Sequence, residues 1–84
     1  MKIEITRRAR KDLLNLDHKM CARILDAIEG LRHDPPAGDV KKLKGMNPAV
    51  HRLRVGDFRV MFRNDIEKGT IFILHVAHRR DVYR

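Results

Sequence analysis

Arg52, Arg54, Arg59 and Arg63 lie within a few residues of one Gly-Asp pair, and their placement is the strongest chemical signal in the chain. Gly56-Asp57 separates two runs of alternating apolar residues, which is the pattern of a two-residue hairpin turn. That turn predicts a register in which Val55 opposes Phe58, Arg54 opposes Arg59, Leu53 opposes Val60 and Arg52 opposes Met61. Opposed residues share a face, and faces alternate along each strand. Leu53, Val55, Phe58, Val60 and Phe62 therefore fall on one face, which must be the core. Arg52, Arg54, Arg59, Met61 and Arg63 fall on the other.

Setting Arg54 directly across from Arg59 costs stability, because like charges in a cross-strand pair repel. Arginines on a solvated face can pair with acids elsewhere, but Asp57 is the only acid between residues 40 and 64, and it sits in the turn. The arrangement points to an anion site. Guanidinium groups grip phosphate with two parallel donors and keep their charge at any working pH. They also suit a transition state in which charge builds on phosphoryl oxygens.

Other residues extend this reading. Lys41, Lys42 and Lys44 precede the hairpin and would steer phosphate. The tail Val76-Ala77-His78-Arg79-Arg80-Asp81-Val82-Tyr83-Arg84 brings a histidine, two arginines and a tyrosine back to the sheet rim. Tyr83 could stack on a base, donate to a phosphate, or simply pack. Histidine is the usual proton carrier near neutral pH, and His51 and His78 lie nearest the arginines in sequence. His18 and His33 flank the second helix as surface residues. His75 and His78 are three apart on a strand, so they point to opposite faces and make a poor zinc pair. No other His, Asp or Glu set has metal-ligand spacing, no glycine loop cradles a phosphate, and no Ser-His-Asp set stands out. Neither a metal nor an organic cofactor is expected.

The elements that must hold these residues read as follows. Ile3 and Ile5 alternate with Lys2, Glu4 and Thr6 as a short strand. Thr6 is a helix N-cap, and Ala9, Leu13 and Leu16 follow at helical spacing over about residues 7–16, with Arg8, Lys11 and Asp12 outward. Asp17 caps a second helix whose stripe is Cys21, Ile24, Leu25, Ile28 and Leu31. Asp34-Pro35-Pro36 ends it. So short a link predicts an antiparallel helix hairpin. Residues 37–49 read as a loop, and strands follow at about 50–55, 58–63 and 70–76, the last central or nearly so. The whole is a single α+β domain over 1–84: an N-terminal strand, a helix hairpin, then a three-stranded antiparallel meander with helices on one face of the sheet.

Charge supports a polyanion partner. The 84 residues carry a formal net charge of +8, and it is lopsided. Residues 1–40 hold eight Lys or Arg against seven Asp or Glu, whereas residues 41–84 hold eleven against four. Such asymmetry is the footprint of nucleic acid or an acidic protein. A membrane surface fits poorly, because the basic half is strand-like, and no apolar run is long enough to span a bilayer. The mixed-charge start is not a signal peptide. Cys21 is the only cysteine, which excludes a disulfide scaffold and fits a reducing cytoplasm.

Ala9-x-x-Asp12-Leu13-x-x-Leu16, the helix end at Asp34-Pro35, Lys42-Leu43-x-Gly45, Arg52-Leu53-Arg54-Val55-Gly56-Asp57-Phe58-Arg59-Val60 and His78-Arg79-Arg80-Asp81-Val82-Tyr83 together resemble the RelE-like toxins of the RelE/ParE superfamily. The match spans nearly the whole chain in order, and the hairpin and tail are its specific parts. The resemblance implies a toxin of a type II toxin–antitoxin system, an mRNA interferase that arrests growth. It implies a cognate acidic antitoxin in a toxin–antitoxin hetero-oligomer, and metal-free cleavage of mRNA on the ribosome. The 2′-hydroxyl would attack the adjacent phosphate, leaving a 2′,3′-cyclic phosphate and a 5′-hydroxyl. Carried over position by position, the catalytic set is Arg52, Arg54, Arg59, Arg79 and Tyr83. His78 joins it as a candidate base alongside His51 and Tyr83. Lys41, Lys42, Lys44, Arg63 and Arg80 would contact RNA or ribosome. This chain departs from the family's best-known pattern, which has lysines where Arg52 and Arg54 stand. Arginine, with a pKa above about 12, is no general base, so proton removal falls to another group. Two further readings share the fold: a ParE-like toxin that poisons DNA gyrase by binding, and an RNA-binding module without catalysis.

Overall fold

The computed structural model describes residues 1–82, with side chains as far as Arg80. Its elements, in chain order, are β1 (Lys2–Ile5), α1 (Arg7–Leu14), α2 (His18–Glu29), β2 (Asp39–Lys42), β3 (His51–Val55), β4 (Phe58–Asp65), β5 (Thr70–His78) and α3 (Arg79–Val82), with a 3-10 turn at Gly30–Arg32 after α2. The strands form one sheet in the order β1-β5-β4-β3-β2. The meander β3-β4-β5 is antiparallel, and β1 runs parallel to β5 on its far side. The α+β class, the N-terminal strand and the meander are as expected.

Both helix starts follow from their caps. The Thr6 hydroxyl accepts the N–H of Ala9, and the Asp17 carboxylate accepts the N–H of Met20 at 2.8 Å. Each satisfies an N–H that the first turn leaves without a helical partner. Ala9 and Leu13 of α1 join Ile24 and Ile28 of α2, and Leu31, over Leu53, Val55, Val60, Phe62, Ile71, Ile73 and Val76 of the sheet. All of these apolar residues lie in one core, so the helices cover a single face. The other face is left open, and it carries the arginines.

Several boundaries differ from expectation: the first helix ends at Leu14, short of residue 16, and β4 runs on to Asp65, past residue 63. The second helix stops at Glu29, and a 3-10 turn carries the chain onward. The last strand runs on to His78, past residue 76. The segment 37–49 is not all loop, because Asp39–Lys42 pairs antiparallel with β3 as an edge strand. Only Val40 in that strand is apolar and half-buried, so a strand with one neighbour and one inward residue carries no readable alternation.

The hairpin register is the expected one, with Val55 paired to Phe58, Arg54 to Arg59, Leu53 to Val60 and Arg52 to Met61. Gly56 takes φ +58°, while among the described residues no non-glycine residue has positive φ. A positive φ confined to the first of two turn residues is the type II′ pattern, whose twist matches the flanking strands. The turn thus sets both the register and the side from which the guanidiniums project.

Candidate functional site

At the turn end of the open face, Arg54, Gly56, Asp57, Phe58, Arg59 and Arg79 line a small cavity of about 130 Å³. Arg54 and Arg59 reach it as cross-strand partners. Arg79 arrives from the tail, where its backbone N–H donates to the Asp57 carbonyl at 2.7 Å and docks the start of α3 on the turn. Three of the predicted catalytic residues therefore converge. Among the described residues, neither Arg54 nor Arg79 forms an ion pair. Among the described residues the cavity lining brings together three arginines and one aspartate, Asp57.

The other predicted residues are placed elsewhere. Arg52 shares the face but not the cavity. Its Nη1 donates to the Asp39 carbonyl at 3.1 Å and to the Asp39 carboxylate at 3.2 Å, with only 12% of the side chain exposed. The acid that offsets this charge is Asp39 of β2, just before the 40–64 stretch in which Asp57 is the only acid, on the strand that reads as loop. Arg63 lies toward the far end of β4, over the Phe72 ring at 5.0 Å and 3.7 Å from Asp65. Lys41 pairs with Arg52 across β2 and β3 and so shares the arginine face, whereas Lys42 pairs with His51 on the core side. Lys42 and Lys44 line a separate concavity with Leu43, Gly45 and Met46. Arg80 is exposed on α3 and donates its N–H to His78 Nδ1. Tyr83 lies outside the described residues.

Two histidines expected near the arginines turn toward the core side. His51 pairs with Phe62 and stacks on its ring at 5.4 Å, and His78 pairs with Phe58 and meets it edge-on at 5.2 Å. His75 pairs with Met61 on the opposite face, so His75 and His78 do face apart by register. They nevertheless line one cavity at the open edge of β5. Among the described residues no group of three His, Cys, Asp or Glu is placed to hold a metal ion. No helix there is long and apolar enough to cross a membrane.

Two residues near the site carry no readable sequence signal. Arg23 of α2 brings its guanidinium to 3.3 Å from where a Cβ on Gly56 would stand. It lines a groove of about 380 Å³ on the other side of the turn, with Arg54 at the shared border. Asp12, read as an outward helix residue, instead caps the edge of β5. Its Oδ2 accepts the N–H of Val76 at 3.0 Å and lies 2.7 Å from His75 Nδ1. Neither role follows from helical spacing, because both depend on which strand end the helix crosses.

Residues 3–83 match the family described as the ParE toxin of the type II toxin–antitoxin system parDE. The chain is also 32% identical over 82 residues to the toxin RelG of Mycobacterium tuberculosis, covering 98% of this chain and 94% of the relative. The chain belongs to the RelE/ParE family of type II toxins. Solved structures of the family share its fold. A chain of the M. tuberculosis toxin–antitoxin complex RelBE2 superposes with TM-score 0.77 at 30% identity, covering 93% of this chain and 96% of that one. A chain of the archaeal RelE–RelB complex from Pyrococcus horikoshii gives 0.78 at 28% identity and 93% coverage of both. In this RelE/ParE toxin, the helix-free face of the shared sheet is the one that carries Arg54 and Arg59.

Proposed function

We propose that this toxin is a metal-independent endoribonuclease that cleaves mRNA, with Arg54, Arg59 and Arg79 holding the scissile phosphate. The observation that carries the reading is their convergence in one small cavity beside the hairpin turn. Arg54 and Arg59 are cross-strand partners, so an anion seated between their guanidiniums would be gripped from both strands. As the 2′-hydroxyl attacks, negative charge builds on the non-bridging oxygens, and fixed guanidiniums stabilise that state more than the ground state. A 2′,3′-cyclic phosphate and a 5′-hydroxyl result.

So open a site does little to align a flexible RNA by itself. Holding the message in attack geometry is a task for the ribosome, which lowers the entropic barrier to the in-line step. Lys41, Lys42, Lys44 and Arg80 supply outlying positive charge for RNA or ribosome contacts, and Arg52, Arg63 and Tyr83 complete the set. An acidic antitoxin, encoded with the toxin, covers this charge and holds it inactive in the cytoplasm. The toxin–antitoxin complexes solved for the M. tuberculosis and P. horikoshii relatives support such a partner.

The family match carries the ParE name, which favours a second reading: a gyrase poison that acts by binding and cuts no RNA. Primer extension on translated mRNA after induction separates the two. Cuts at codon-related positions with intact DNA are the expected result. DNA damage with intact messages overturns the nuclease reading in favour of the second.

A further inference from the structure

Among the described residues the arginine cavity holds three guanidiniums, which do not give up their protons in the working range, and Asp57 from the turn, but no imidazole. Among the described residues, β3, β4 and β5 present one imidazole on the guanidinium face. Met61 pairs with His75 and Arg59 with Ala77, so His75 stands one side-chain row along from Arg59. Diagonal neighbours of this kind have their Cβ atoms roughly 7–8 Å apart, within reach of a shared ligand.

The ring is held in one orientation. A carboxylate against Nδ1, here Asp12 Oδ2 at 2.7 Å, keeps the proton on that nitrogen and leaves the lone pair on Nε2. Asp12 is itself fixed by the Val76 N–H. Nε2 lies 3.5 Å from an Arg8 terminal nitrogen. Arg8, Asp12, Asn15, Phe58, His75 and His78 help to line an open cavity of about 480 Å³. The charged or titratable groups that line this cavity with His75 are Arg8 and Asp12 from α1 and His78 from its own strand, while β4 pairs His75 with uncharged Met61. Phe58 lines both this cavity and the arginine cavity, so the two share a lining residue.

We propose that His75 is the proton acceptor of the reaction, with Asp12 as its positioning residue and Arg8 as a second phosphate contact. This rests on the nuclease reading. His75 Nε2 takes the 2′-hydroxyl proton as the 2′-oxygen forms its bond to phosphorus. The bond from phosphorus to O5′ breaks, its electron pair leaves on O5′, and O5′ takes a proton from water. The imidazolium then returns its proton to the hydroxide so formed.

The test is single-turnover cleavage of translated mRNA across pH by wild type, His75→Asn, His75→Ala and Asp12→Asn, with melting curves and RNA affinity alongside. Asparagine keeps an amide donor for Asp12 while removing the titrating nitrogen. Both His75 variants are expected to lose about 10²- to 10⁴-fold in rate, to flatten the pH dependence and to bind RNA within about two-fold of wild type, a margin far below the rate loss. Asp12→Asn should lose less and keep a pH profile. Added imidazole should restore part of the His75→Ala rate and none of that lost in Arg54→Ala. A folded His75→Asn that cleaves at full rate with the wild-type profile overturns the assignment and leaves the nuclease reading standing. So does a loss in His75→Ala that imidazole does not restore. Absence of cleavage by wild type removes the nuclease reading and this assignment with it.

Discussion

Arg52 donates from one terminal nitrogen to both the carbonyl and the carboxylate of Asp39, at 3.1 and 3.2 Å, so a single side chain ties the edge strand β2 to β3. Asp39 also stands directly across from Arg54 in register. One carboxylate thus tempers two guanidiniums of the open face. Asp39→Asn should cost less than about 1 kcal/mol in urea unfolding, because the acid is more than half exposed and such pairs contribute little. The same change should tighten binding to single-stranded RNA and steepen its log–log salt slope by about 0.7, the increment for one further phosphate contact. Unchanged affinity and slope would mean that Arg52 stays withdrawn from RNA.

If Arg54, Arg59 and Arg79 hold phosphates together, a short RNA with a 2′-deoxy residue at the cut position should bind with a log–log salt slope of about −2. That is the value for three contacts on a single strand. Arg79→Ala should reduce the slope by about 0.7, and titrations over a range of salt concentrations measure it.

The turn that sets the register is vulnerable at one atom. A methyl group on Gly56 would have to accept φ +58° and would come within 3.3 Å of Arg23 Nη1. Gly56→Ala is expected to destabilise the fold by about 1–3 kcal/mol and to weaken RNA binding by disturbing the Arg54 and Arg59 pair. Equilibrium unfolding and the same titration read both effects.

Loss of stability alone should not mimic these results. Asp17→Ala removes the α2 cap, whose 2.8 Å bond to Met20 lies away from the open face. It should cost about 0.5–2 kcal/mol and leave RNA affinity and salt slope as they were.

The parts of the site legible in the sequence are those that local geometry dictates. A two-residue turn leaves no freedom in counting, so the pairing of Arg54 with Arg59 and the separation of core from open face both follow from the residues around Gly56. The hydrogen-bonding side chains Thr6 and Asp17 mark their helix starts for the same local reason. What escaped depends on distant packing. Asp39-Val40-Lys41-Lys42 is a strand only because β3 lends it a neighbour, and its one half-buried residue shows no period. Asp12 looks like any outward helical acid until α1 is laid across the uncovered end of β5. Arg23 likewise meets the turn through the crossing of α2 over the sheet. His51 and His78 are near the arginines in sequence, yet both turn to the other face: counting from the turn already sets His51 opposite Phe62, whereas the side of His78 follows only from the pairing of β5 with Phe58.

The rate at which Arg79→Ala cleaves translated mRNA, measured in protein whose melting temperature matches wild type, tests phosphate binding by the arginine cavity most directly. Arg79 is exposed, and its backbone N–H keeps its bond to Asp57 whatever the side chain, so the substitution removes charge from the cavity and leaves the fold intact. A fall of about 10²- to 10³-fold, the loss typical of one preorganised charge stabiliser, together with relief of growth arrest, is the predicted result. Cleavage at the full wild-type rate would contradict it.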